Sequence, residues 1–294
     1  MRLLNGSGCL DALVAPEVAR SLDTFVTKTV TPLPREGSPP VRIAETDVGM
    51  LNSIGLANPG IEAFVSEALP RLGELGVPIW VSVGGFSDGD YADLCAALDD
   101  RLEVEAIELN LSCPNVDEPA GSVGELVIAA RGATAKPLYA KLSPAVPSIA
   151  ALAVEVKEAG ADGLTLVNTI RGLSLDARTL RPTLAREFGG LSGPALKPIA
   201  LAAIFAAYRA TGLPIVGLGG VSTGRDVLEF LAAGASSVAL GTVLFGDPDA
   251  PARIRSELAR ELESLAVVEA DNIRGRAHGG RFAEWLTLDR HLSV

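Results

Sequence analysis

The feature that most constrains this chain is an alternation. Short apolar runs recur near residues 3–8, 24–29, 78–84, 104–110, 137–142, 162–167, 213–218 and 236–241. Between them lie Ala-, Leu- and Glu-rich stretches with apolar residues at three- and four-residue spacing, among them 61–75, 149–159, 198–211 and 249–265. Runs such as Ile79-Trp80-Val81-Ser82-Val83 and Leu164-Thr165-Leu166-Val167 are almost continuously apolar. That pattern predicts strands buried on both faces, as in a parallel sheet. Eight strand-then-helix units in succession predict an α/β fold, a (β/α)8 TIM barrel, with a doubly wound open sheet as the alternative. Gly and Pro mark the helix-to-strand joins, as in Gly76-Val77-Pro78 and Gly212-Leu213-Pro214. The barrel is expected over residues 1–278. Residues 279–294, with Trp285 and Leu286, are expected to form a tail over a dimer interface or the barrel floor.

Composition narrows the function. The 294 residues are 48% apolar and 21% charged, which excludes a disordered chain. With 36 acidic and 25 basic residues the formal charge is −11, so no general attraction to nucleic acid or an anionic membrane is expected. One local cationic cleft remains compatible with that charge. No apolar run reaches transmembrane length, and Leu3-Leu4-Asn5-Gly6 turns polar too soon for a signal peptide, so a cytoplasmic protein is expected. Cys9, Cys95 and Cys113 are scattered and form no Cys-x-x-Cys, which argues against a disulfide framework, a zinc site or an iron–sulfur cluster in this chain. The histidines are His278 and His291 alone, so a histidine triad or a His₃ metal site is not expected.

In a barrel, chemistry sits where strands end at the C-terminal face. The second candidate strand ends in Thr27-Lys28-Thr29, and the fourth in Glu108-Leu109-Asn110-Leu111-Ser112-Cys113-Pro114-Asn115. The fifth ends in Lys141-Leu142-Ser143-Pro144 and the sixth in Asn168-Thr169. Two connections, 30–59 and 168–193, are too long for simple turns and are expected to be extended loops at that face. Gly217-Leu218-Gly219-Gly220 with Ser222-Thr223-Gly224, Gly241-Thr242, and Gly189-Gly190-Leu191-Ser192-Gly193 converge on the same rim. Glycine turns after the seventh and eighth strands expose backbone N–H groups and suit a phosphate. Their spacing does not fit a dinucleotide fingerprint. On these residues alone, Cys113 reads first as a small buried apolar side chain.

As an ordered set, the motifs resemble class 1 dihydroorotate dehydrogenases. The resemblance is carried by Asn52-Ser53-Ile54-Gly55-Leu56-Ala57-Asn58-Pro59-Gly60, Glu108 to Val116, Lys141-Leu142-Ser143-Pro144, Val167-Asn168-Thr169, Gly190-Leu191-Ser192-Gly193-Pro194, Gly219-Gly220-Val221 and Gly241-Thr242. It runs from about Asn5 to His278. Ala44-Glu45-Thr46 and Leu142-Ser143-Pro144 resemble the subgroup that works with a partner subunit.

The resemblance implies FMN-dependent oxidation of dihydroorotate to orotate in pyrimidine biosynthesis. It implies Cys113 as the base that removes the C5 proton while hydride leaves C6. It implies substrate contacts from Lys28, Asn52, Ile54, Gly55, Leu56, Asn110, Asn115, Asn168 and Thr169. It implies flavin contacts from Ser7, Gly8, Lys28, Thr29, Asn110, Lys141 and Val167, with Ser192, Gly193, Gly219, Gly220, Gly241 and Thr242 at the phosphate. Cys9 and Cys95 are left as structural. A homodimer and a separate iron–sulfur and FAD electron-transfer subunit are the implied partners.

The sequence also departs from the family pattern. Asn5-Gly6-Ser7-Gly8 stands where a Pro-Ala-Ser-Gly-like run is usual, which predicts a looser flavin contact. Ser82 and Ala145 stand where Asn is frequent, and Arg171 is unusual and changes the charge of the substrate loop. The segment after Cys113 is short, and the chain begins almost at its first strand where relatives carry a leading segment over the barrel floor. The alternatives are a dihydropyrimidine-type FMN oxidoreductase, for which a carboxylate contact is unnecessary, and a catalytically degenerate FMN-binding paralogue.

Overall fold

The computed structural model describes residues 1–111 and 122–279. Among the described residues twelve strands follow in chain order: β1 (Arg2–Asn5), β2 (Phe25–Val26), β3 (Ile43–Thr46), β4 (Gly49–Asn52), β5 (Ile79–Val83), β6 (Val104–Asn110), β7 (Leu138–Leu142), β8 (Gly163–Leu166), β9 (Ile170–Leu173), β10 (Phe188–Ser192), β11 (Ile215–Leu218) and β12 (Ser237–Leu240). Eight of them form one parallel sheet in the order β1-β12-β11-β8-β7-β6-β5-β2. The two ends of that order meet through a parallel bridge between Leu4 and Thr24, so the sheet closes into the expected barrel.

A side chain makes this seam. The Nδ2 of Asn5 donates to the Val26 carbonyl at 2.8 Å, and its Oδ1 accepts from the Val26 N–H at 2.8 Å. Asn5 thus supplies, from one amide, the donor and acceptor that a neighbouring backbone unit would offer.

Alternation along the strands builds two apolar layers. Leu4, Val26, Trp80, Ala106, Val216, Leu218 and Ala239 point into the barrel. Residues of opposite parity, such as Leu3, Val81, Ile107, Leu138, Leu164, Ile215 and Val238, pack outward against the helices. The Trp80 and Tyr139 rings, with centroids 4.2 Å apart, fill the lower interior. Gly163 leaves room for them: a Cβ there would lie 2.3 Å from the Tyr139 ring.

The helices follow the apolar periodicity and are capped where the sequence supplies a hydroxyl. Ser87, Ser122, Ser148 and Thr223 each accept a backbone N–H at a helix start. The expected helix from Ile61 contains a π-helical turn, Phe64–Ala68, between Ile61–Ala63 and Leu69–Gly73. Among the described residues, no helix is long and apolar enough to cross a membrane.

The two long connections carry more order than loops. The first contributes β3 and β4, the second β9 and β10, and together they form a four-stranded antiparallel sheet in the order β3-β4-β10-β9. One face covers a small core of Ala44, Leu51, Leu184 and Leu191. The other face looks onto the barrel mouth. The tail expectation for Trp285 and Leu286 lies outside the described residues.

Candidate active site

A cavity of about 490 Å³ opens at the C-terminal end of the barrel, roofed by the small antiparallel sheet. Its walls bring together Ser7, Gly8, Lys28, Thr29, Asn52, Ile54, Gly55, Leu56, Asn110, Lys141, Val167, Asn168, Thr169, Ser192, Gly193, Gly219, Gly220, Gly241 and Thr242. These come from residues as far apart as 7 and 242, gathered because each follows or ends a strand. Cys113 and Asn115 lie outside the described residues.

A hydrogen-bond chain fixes the polar side chains across the mouth. Ser7 Oγ donates to the Thr27 carbonyl at 2.8 Å and lies 3.3 Å from Thr29 Oγ1, which lies 3.1 Å from Ser82 Oγ. Asn110 Nδ2 donates to Thr29 Oγ1 at 3.3 Å, and Asn168 Nδ2 donates to Asn110 Oδ1 at 3.1 Å. Asn168 Oδ1 accepts from the Thr169 N–H at 2.8 Å. Each amide is thereby held in one orientation, which matters for reading donors and acceptors on a ring. Ser82, a departure in the sequence, serves this chain as its β5 member.

Two lysines approach from below. Lys141 Nζ lies 3.4 Å from Glu108 Oε1, and both side chains are buried. Lys28 makes no hydrogen bond or ion pair among the described residues. Burial and, second, the neighbouring Lys141 lower its pKa from 10.5 to about 8. Its stem passes Gly8, where a Cβ would lie 2.8 Å from Lys28 Cδ and where φ is +77°. Only glycine fits that position.

Two groups of backbone N–H donors face the cavity. Gly55 and Leu56 both have positive φ, 72° and 57°, and their N–H groups find no protein acceptor among the described residues. Asn58 holds this turn, donating to the Leu56 carbonyl at 2.7 Å and accepting from the Gly60 N–H at 2.8 Å. A left-handed leucine is strained by roughly 1–3 kcal/mol and is characteristic of ligand-binding turns.

The second group is Gly193, Gly219, Gly220, Gly241 and Thr242, whose N–H groups likewise have no protein acceptor among the described residues. The backbones there lie too close for side chains. A Cβ on Gly220 would sit 2.8 Å from the Gly193 carbonyl oxygen, and one on Gly193 would sit 2.7 Å from Gly49 Cα. Such a cradle of unpartnered donors fits a phosphate.

Asp226 braces the cradle from behind. Its carboxylate accepts from the Ser222 N–H at 2.8 Å, the Ser222 hydroxyl at 3.0 Å and the Thr223 N–H at 2.8 Å, and it also receives Lys197 Nζ.

Several cavity residues escape sequence reading. Cys9, expected to be structural, lines the cavity, and burial pushes its thiol pKa up against the opposing pull of Lys141 and Lys28. Glu108, which pairs with the cavity residue Lys141 without itself lining the cavity, is visible only as an acid inside an apolar run. Met50, Phe188, Arg186 and Leu196 also line the walls.

Fold and site together define a (β/α)8 barrel whose mouth cavity gathers side-chain amides, two lysines and two sets of backbone N–H groups without protein acceptors among the described residues. The model of the dihydroorotate dehydrogenase family matches residues 3–262. The chain is 42% identical over 260 residues to the catalytic subunit of dihydroorotate dehydrogenase B (NAD(+)) from Listeria monocytogenes, covering 86% of each protein. It is 43% identical over 265 residues to the protein of the same name from Desulforudis audaxviator, covering 87% of this chain and 86% of that one. It is 45% identical over 263 residues to a Solibacter usitatus protein provisionally named dihydroorotate dehydrogenase A (fumarate), with coverage of 87% and 86%. In structure it is similar to a ligand-free DHODH of Eimeria tenella, at a TM-score of 0.79 and 21% identity, over 94% of this chain and 89% of that one. The last likeness speaks to fold alone. The chain belongs to the dihydroorotate dehydrogenase family.

Proposed function

We propose that this chain oxidises dihydroorotate to orotate in pyrimidine biosynthesis, using FMN held in the cavity at the barrel mouth. The observation that carries the reading is the pairing of two donor sets in one cavity. The free N–H groups of Gly55 and Leu56, in the same cavity as Lys28, suit a carboxylate, while Asn52, Asn110, Asn168 and Thr169 suit the ring amides. A dihydropyrimidine without a carboxylate would leave the first set unused.

Gly193, Gly219, Gly220, Gly241 and Thr242 would hold the FMN phosphate through their N–H groups, with Ser192 beside them. Ser7, Gly8, Thr29, Asn110, Lys141 and Val167 would border the ring. When bound, FMN accepts the hydride that leaves C6 of the substrate.

The remaining work belongs to the chain. Lys28 and the Gly55–Leu56 turn neutralise and orient the substrate carboxylate. The ordered amides fix the ring in one pose. Cys113, as thiolate, takes the proton from C5; the C5–H electron pair becomes the C5–C6 double bond as hydride departs from C6. Asn115 stands with it as a substrate contact.

For the second half-reaction we read a separate iron–sulfur and FAD subunit as the electron carrier, because relatives from two organisms are catalytic subunits by name. A homodimeric core accords with the exposed Val41, Val48, Leu173 and Leu175 on and beside the small sheet. A cytoplasmic setting follows from the same reading.

Turnover with a dye acceptor tests the substrate assignment. Dihydroorotate is expected to support turnover and dihydrouracil to fail. The reverse preference would indicate a dihydropyrimidine-type enzyme. Failure of both with FMN bound would indicate a degenerate site.

A further inference from the structure

In the small sheet, Ile43 pairs with Asn52, Asn52 with Gly190, and Gly190 with Arg171. Residues directly opposite one another across antiparallel strands point to the same face, and all four of these line the cavity. Arg171 therefore stands in line with Asn52, at the outer end of the row. The glycine between them keeps the row open. Its missing side chain is replaced by Thr169, whose Oγ1 would lie 2.1 Å from any Cβ at position 190.

Phe188, diagonal to Arg171 on the same face, carries the guanidinium 4.0 Å from its ring centroid. This stacking fixes the cation without neutralising it. Among the described residues neither Arg171 nor Arg186, the two arginines on the cavity wall, makes an ion pair, and of the two Arg171 is the one held against an aromatic ring. In a chain of net charge −11, an oriented and unneutralised cation at the cavity rim calls for a ligand.

We infer that Arg171 is a specificity-determining residue that captures the substrate's carboxylate at the mouth and passes it inward toward Lys28. The inference rests on the dihydroorotate reading. It adds the means by which an acidic protein recruits an anion, since a rim charge acts on association rate and salt dependence more than on chemistry.

The test is steady-state kinetics of the FMN-loaded enzyme with dihydroorotate and a dye acceptor, at low and high salt, for wild type, R171Q and R171K. Orotate binding is followed alongside by flavin absorbance. At low salt R171Q is expected to lower kcat/KM by about five- to tenfold and to weaken orotate binding comparably, with kcat within about twofold. R171K is expected to recover most of the loss. At about 0.5 M salt, where charges beyond a few ångströms are screened, wild type and R171Q should converge. Equal kcat/KM and equal orotate affinity for wild type and R171Q at low salt would overturn the inference while leaving the dihydroorotate reading intact. A loss confined to kcat, or one not recovered by lysine, would also overturn it. A flavin-loaded wild type that dihydroorotate does not reduce would overturn the functional reading, and this inference with it.

Discussion

Glu108 and Lys141 face each other inside the barrel, carboxylate to ammonium at 3.4 Å, with side chains only 3% and 7% exposed. Both come from adjacent strands and point inward, one layer beneath the polar chain of the mouth. A buried pair of this kind is costly to break because the survivor is left charged and dry. Glu108→Ala is expected to destabilise the fold by about 3–5 kcal/mol. Joint replacement by Leu at 108 and Met at 141 should cost less than either single change. Urea unfolding of the three variants checks this; additive losses would show that the two residues do not act as a pair.

Asn5 closes the barrel seam, fully buried, through its two hydrogen bonds to Val26. Asn5→Leu leaves a buried donor and acceptor unmet on β2 and should cost roughly 2–4 kcal/mol. The denaturation midpoint is the readout. A change below about 0.5 kcal/mol would mean that backbone pairing alone closes the seam.

Asp226 reaches the phosphate cradle through Ser222, Thr223 and Lys197, so its role is positional. Asp226→Ala should weaken FMN binding about tenfold or more, given several charge-assisted hydrogen bonds of about 1.5–3 kcal/mol each. Riboflavin, which lacks the phosphate, should bind the variant and the wild type alike. Fluorescence titration with both flavins separates this from general unfolding, which would weaken both.

The lowered pKa of Lys28, about 8, has a definite sign. Between pH 8 and its unfolded value of 10.5 the unfolded chain holds a proton that the folded chain has released. Apo-protein stability should therefore rise with pH across that window. Anion binding shows the opposite trend. Orotate affinity of the flavin-loaded protein should fall as pH rises, by up to tenfold per unit, once Lys28 loses its charge. Lys28→Gln should bind weakly with no such slope. Titration calorimetry of the flavin-loaded protein across this range reads both.

Much of the architecture is legible because barrel strands are buried on both faces, so Ile79–Val83 and Gly163–Leu166 read as continuous apolar runs. The polar strand ends are legible for the converse reason: Lys28, Asn110 and Asn168 interrupt such runs. The small sheet is not. Its strands are four or five residues long, and Gly49–Asn52 pairs with Phe188–Ser192 across a large sequence gap. No local periodicity records that pairing, so both segments read as loops. Cys9 gave no signal because nothing adjacent in sequence places a thiol at the mouth. Asn5 and Ser82, which look like departures from a family pattern, are explained by partners on neighbouring strands, Val26 and Thr29.

Dihydroorotate oxidation at this site is read most directly from an anaerobic visible spectrum of the FMN-loaded protein before and after dihydroorotate, with Cys113→Ala alongside. The wild-type flavin should bleach on mixing, and that of the variant, which should keep its flavin, far more slowly. A wild-type flavin that dithionite reduces but dihydroorotate leaves oxidised would contradict dihydroorotate oxidation at this site.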